Sequence, residues 1–157
     1  MKNKVTQASL LILFVLLNSS SFSQVENDIK LIYTESESGD TYRSVTKIIL
    51  YFDGRIEKYS NKSGLGEILT GVRNLNQNEF NFIDRIFSKY NFSNYPDKIP
   101  LVKTPMWPSS SKGVKYKVCQ ECEMKTFAYS SNSEHKYLPS NYVEFIKELK
   151  ARLFSYF

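Results

Sequence analysis

Residues 42–59 read YRSVTKIILYFDGRIEKY, and the fold is decided there. Val45, Thr46, Ile48, Ile49, Tyr51 and Phe52 are β-branched or aromatic, the residue types that pack well on a pleated surface. Asp53-Gly54 breaks the run, and Arg55 to Tyr59 resumes it with Ile56 on the opposite side from Arg55 and Glu57. Asp-Gly between two such runs signals a β-hairpin and predicts a type I′ turn, which needs positive φ at both central residues.

Upstream, Lys30 to Glu35 (KLIYTE) reads as a short strand, followed by the polar connection 36–40. Downstream, Gly66 to Val72 is a third run that pairs next along a meander, with Asn61 to Gly64 as its turn. The period then changes. Asn76 is placed to cap a helix over Leu75 to Asn91, Glu79 completes a capping box, and Leu75 and Phe80 occupy the staple positions. Phe80, Ile83, Phe87 and Tyr90 recur at helical spacing, and Phe82 and Ile86 widen the stripe. After a long connection holding Pro96, Pro100, Pro105 and Pro108, Val114 to Val118 and Glu123 to Tyr129 form a second hairpin around Gln120-Glu121. A last helix starts at a cap of Ser140 or Asn141, with Glu144 at the box position. It buries Tyr142, Ile146, Leu149 and Leu153, and pairs Glu144 with Lys147 and Glu148 with Arg152 on its wetter side. Strands grouped before and between two helices indicate an α+β fold. The expected architecture is an antiparallel sheet of about five or six strands, with both helices packed on one face.

The first residues carry a different message. Lys2 and Lys4 give a positive start, Leu10 to Leu17 an apolar stretch, and Ser21-Phe22-Ser23 a small-x-small cleavage site. That is the layout of a secretory signal peptide over 1–23, and eight apolar residues fall short of the ~20 that span a bilayer. Cleavage leaves 24–157 as a single domain of 134 residues, exported to the periplasm or secreted, with no transmembrane anchor. The whole chain has 21 basic and 16 acidic residues. Losing Lys2 and Lys4 leaves 19 against 16, or +3, too mild a charge for a dedicated nucleic-acid binder.

Cys119 and Cys122 are the only cysteines, and in an exported chain a disulfide is expected between them. A thiol–disulfide redox pair is the sharper alternative, but it needs a depressed thiol pKa, and Glu121 and Glu123 here offset Lys117 and Lys125. Adding His135 brings a zinc set to only three ligands, one short of a closed structural site. His135 itself sits in a polar serine-rich run with no nucleophile-elbow pattern, which suits a solvated loop. Gly64-Leu65-Gly66 lacks the following helix that a phosphate loop requires. Glu144 and Glu148 share one helix, and each has a basic neighbour, as on a solvated face. No catalytic residue, cofactor or metal is therefore expected. Tyr95, Met106 and Trp107, in the proline-rich connection, are the candidate partner-binding residues, since Trp and Tyr often anchor interfaces.

The run Tyr42 to Tyr59, the helix from Asn76 to Tyr90 and the closing helix from Pro139 resemble a group of small exported bacterial domains of unknown function. The chain has Ser36, Ser38 and Gly39 where members often carry a cysteine pair. The resemblance implies this fold type and no catalytic residues. The functional expectation is a non-enzymatic, envelope-associated or secreted binding or accessory module. Two alternatives stand beside it: an inhibitor docking a secreted enzyme through the 95–107 loop, and a redox protein using Cys119 and Cys122.

Overall fold

The computed structural model describes residues 28–39, 42–62, 65–97, 99–102 and 109–157. Met106 and Trp107, the proposed leader over 1–23 and half of the expected Asn61–Gly64 turn lie outside the described residues. Six strands form one sheet: β1 (Ile29–Ser38), β2 (Arg43–Tyr51), β3 (Arg55–Lys62), β4 (Ile68–Asn74), β5 (Ser109–Tyr116) and β6 (Lys125–Ser130). Their order is β4-β3-β2-β1-β5-β6, and every neighbouring pair is antiparallel. Two helices complete the α+β fold, α1 (Gln77–Lys89) and α2 (Tyr142–Phe154).

The hairpin read from Asp53-Gly54 is present, with a different turn. Leu50 pairs with Ile56, Gly54 N–H donates to the Tyr51 carbonyl at 3.1 Å, and Gly54 alone takes positive φ, at +89°. A three-residue connection with glycine in the left-handed position replaces the two-residue type I′ turn. The Asp53 carboxylate accepts the Arg55 N–H at 2.9 Å, which closes the corner. The meander continues as expected, with β4 paired to β3.

β1 and β5 are both longer than hydrophobicity alone suggests. β1 runs on through Ser36-Glu37-Ser38, and β5 begins at Ser109 instead of Val114. The two polar ends pair with each other, from Glu35↔Lys112 to Ser38↔Ser109, and the Ser36 and Ser111 hydroxyls lie 2.7 Å apart. Ladder hydrogen bonds and cross-strand polar pairs hold this end where apolar burial does not.

The register sorts the side chains onto two faces. Leu31, Tyr33, Ile48, Leu50, Ile56, Val114, Tyr116 and Phe127 point to the helices and are all buried. Against them lie Ile83, Ile86 and Phe87 of α1, and Phe145, Ile146, Leu149 and Leu153 of α2. Both helical stripes thus share one sheet face, as their spacing required. Phe145 is fully buried and belongs to the stripe that Tyr142, only partly buried, borders.

Capping differs between the helices. Asn76 accepts from Asn78 N–H and Glu79 N–H, and Glu79 reaches back to Asn76 N–H, which is the expected box. Asn141 caps α2 by position only. Its side chain instead accepts the Tyr95 hydroxyl at 2.8 Å and donates to the Tyr90 carbonyl, so the expected box with Glu144 does not form. Glu148 also departs from expectation. It binds Lys89 at 2.6 Å and the Tyr90 hydroxyl at 2.8 Å, joining α2 to α1, while Arg152 lies over the Phe82 and Tyr156 rings. The Lys89 ammonium, then the Tyr90 hydroxyl, hold the Glu148 carboxyl below its usual range.

Candidate functional site

A bulge in β1 starts the site. Ile29 faces Tyr51 and Leu31 faces Leu50, so Lys30 is an extra residue whose side chain turns inward. Lys30 is 2% exposed. Its ammonium lies 2.9 Å from Asp84 Oδ1 of α1, and the Phe80, Phe52 and Tyr116 rings surround it at 4.8, 5.0 and 5.4 Å. A buried ammonium needs such a partner, because an unpaired charge in an apolar interior is very costly. The rings add the attraction of their π faces.

The same Asp84 oxygen accepts the Tyr116 hydroxyl at 2.7 Å. Burial, then this hydrogen bond, push the Tyr116 phenol well above the ordinary tyrosine range. Asp84 Oδ1 therefore serves both Lys30 and Tyr116, while Oδ2 has no partner among the described residues. The Asp84 side chain is 38% exposed and lines a cleft of about 410 Å³. The cleft lies between α1, the 3₁₀ turn Phe92–Asn94 and the end of the β5–β6 hairpin, within the usual size range of ligand sites.

Aromatic rings make its apolar base. Phe87 and Tyr116 stack with centroids 3.7 Å apart, and Phe92 meets both edge-on. The chain is turned toward the cleft at Asn91, whose φ of +51° is the one non-glycine positive value among the described residues. Asparagine tolerates that region better than most side chains. At the rim, Val118 is exposed, Glu123 has no ion pair among the described residues, and Lys125 is tied to Asp97 at 2.9 Å.

Cys119 and Cys122 form a disulfide in the hairpin loop that carries Val118 and Glu123. The Cys122 N–H donates to the Cys119 carbonyl at 3.1 Å, so Gln120-Glu121 occupy the middle of a turn, as expected. The pair sits beyond the last rung, Tyr116↔Lys125, rather than on directly opposed strand residues. Both sulfurs are used, so they cannot join His135 as metal ligands in this state. His135 is exposed, in a 3₁₀ turn over His135–Tyr137.

Tyr95 does not stand at the surface as a partner anchor. It is 3% exposed, packed against Phe92, Phe127 and Phe145, because the chain after α1 folds back over the sheet end. Its hydroxyl is held by Asn141, and burial pushes its pKa up to about 12. Gly66 has φ of +82° in the connection before β4, consistent with a turn.

A second polar cluster occupies the sheet face away from the helices. Glu57, 6% exposed, accepts the Tyr51 hydroxyl at 2.8 Å, the Tyr59 hydroxyl at 2.6 Å and the Arg55 guanidinium. Arg55 also lies over the Tyr51 ring at 4.0 Å. Each group in this cluster is spoken for, so it reads as a device that fixes the β2–β3 pair. Lys30 and Asp84 carry no motif. The sequence signal for them was a lysine inside an apolar strand and an aspartate inside an apolar stripe.

Neither the protein-family models nor the curated proteins compared with this sequence contain a match. The cleft must be interpreted from its own chemistry.

Proposed function

We propose that this chain is an exported, non-catalytic binding module, envelope-associated or secreted, that holds its ligand in the cleft beside the disulfide hairpin. The single observation that carries the reading is Asp84: one carboxylate oxygen is fixed by Lys30 and Tyr116, and the other has no partner among the described residues, in a recess with an aromatic base. Sites for small ligands combine an apolar lining with a few positioned polar groups. The charged leader start, its apolar stretch and the Ser21-Phe22-Ser23 site support export, and the Cys119–Cys122 disulfide suits an oxidising compartment. The non-catalytic part rests on how the carboxylates are used. Glu35, Glu79 and Glu148 each serve a cation that ties one element to another, and Glu57 binds Arg55 of its own strand and the Tyr51 hydroxyl of the neighbouring strand.

The test has two arms. Mass spectrometry of the exported fraction should give a mature chain that begins at Gln24. Amide-resolved NMR of that chain, titrated with simple aromatic amines, acids and alcohols, should move resonances of Ser88, Asn91, Ser93 and Val118 together. Retention in the cytoplasm sinks the export arm. Shifts confined to the opposite sheet face, around Lys47 and Tyr59, sink the cleft. Turnover in a broad hydrolase screen counts against the non-catalytic reading.

A further inference from the structure

The charge pattern of the cleft narrows the ligand. Asp84 Oδ1 pairs with the Lys30 ammonium and accepts the Tyr116 hydroxyl, whereas Oδ2 has no partner among the described residues and can still accept. Glu123, at the rim, brings a second carboxylate with no ion pair among the described residues. Lys125, the one cation among the described residues lining the cleft, is already engaged by Asp97. Lys30 lies beneath, 3% exposed at its side chain, with its charge spent on Asp84. Tyr116 spends its only proton there too. An anionic ligand would meet the acceptor Oδ2 and the unpaired charge of Glu123, with no free cation among the described lining residues. A neutral ligand without a donor would leave Oδ2 unmatched.

We infer that the cleft takes a small organic cation: a protonated amine or a guanidinium on a flat apolar body. The cationic group donates to Asp84 Oδ2, and the body rests on the apolar base by Phe92 and Tyr116 under Val118. This rests on the reading of the cleft as a binding site, and the experiment separates the two.

Calorimetry on the mature chain compares tryptamine with indole-3-propionate, which share a ring and spacer but carry opposite charges. Tryptamine is expected to bind about tenfold tighter or more, the ratio that ~1.4 kcal/mol of charge preference gives. Asp84→Asn should remove most of that preference. Asp84 also holds Lys30, so this variant can lose its fold; Glu123→Gln, at an exposed position, then provides the second reading through a smaller preference. Val118→Lys, on an exposed rim residue, should weaken tryptamine several-fold without changing the melting temperature. Equal affinity for the two probes overturns the cation inference, while a change in either affinity on Val118→Lys keeps the cleft as a site. Binding of neither probe, or binding indifferent to Val118→Lys, overturns both.

Discussion

Replacing Lys30 with alanine removes a side chain that does two separable things, and the structure lets their sizes be worked out. Its stem is buried, and alanine discards three methylenes, about 2 kcal/mol of apolar burial at ~0.8 kcal/mol each. Its ammonium pairs with Asp84 and faces three rings. Orphaning a fully buried partner costs roughly 3–5 kcal/mol, but the Asp84 side chain is 38% exposed and water can take over part of the pairing. The charge contribution is therefore about 1–2 kcal/mol. Lys30→Ala should lose about 3–4 kcal/mol, whereas Lys30→Met, which keeps the stem volume, should lose only about 1–2 kcal/mol. Urea unfolding followed by far-ultraviolet circular dichroism measures both. If methionine is as damaging as alanine, or if neither variant changes the midpoint, the assignment of Lys30 as the pin between β1 and α1 is wrong.

Other perturbations follow from the same geometry. Cys119→Ser with Cys122→Ser opens a four-residue loop, and the chain-entropy relation gives a loss of about 2 kcal/mol with the fold retained; collapse of the circular dichroism signal would contradict that. The Tyr33 hydroxyl is buried and makes no hydrogen bond of good geometry among the described residues, with the Glu35 carboxylate only weakly engaged, so Tyr33→Phe should be neutral or stabilising by up to about 1 kcal/mol. A clear loss of stability would show that the hydroxyl is satisfied. Gly54→Ala places a Cβ 3.2 Å from the Leu75 carbonyl at φ +89° and should cost about 1–2 kcal/mol, read as a lowered melting temperature. At alkaline pH, Tyr95 is held protonated to about 12 by burial, against 10.0 when unfolded. A raised folded pKa gives stability that is complete below pH 10 and declines as pH rises toward 12. Urea midpoints on either side of pH 10 should show that decline, and Tyr95→Phe should reduce it.

Much of the architecture was legible because burial period and turn chemistry are local. The Asp53-Gly54 corner, the Asn76–Glu79 box and the stripe on α1 all follow from residues within a few positions of one another. Local reading failed where long-range pairing decided the outcome. β1 and β5 extend through serines because each supplies the other's ladder across about 75 residues, a partnership no short window contains. Asn141 looked like an ordinary cap, yet Tyr95 and Tyr90 claim its side chain from across the core. Tyr95 looked like an exposed anchor in a proline-rich connection, and the returning chain buried it. The cleft was invisible for a related reason. Lys30 and Asp84 lie more than fifty residues apart, and only the bulge at Lys30 brings them together.

The most direct measurement is a crystal structure of the mature chain soaked with tryptamine. The amine should lie within hydrogen-bond distance of Asp84 Oδ2, with the indole against Phe92 and Tyr116 and Lys30 still on Oδ1. A ligand seated on the opposite sheet face, or an Asp84 whose two oxygens are both taken up by the protein, would contradict it.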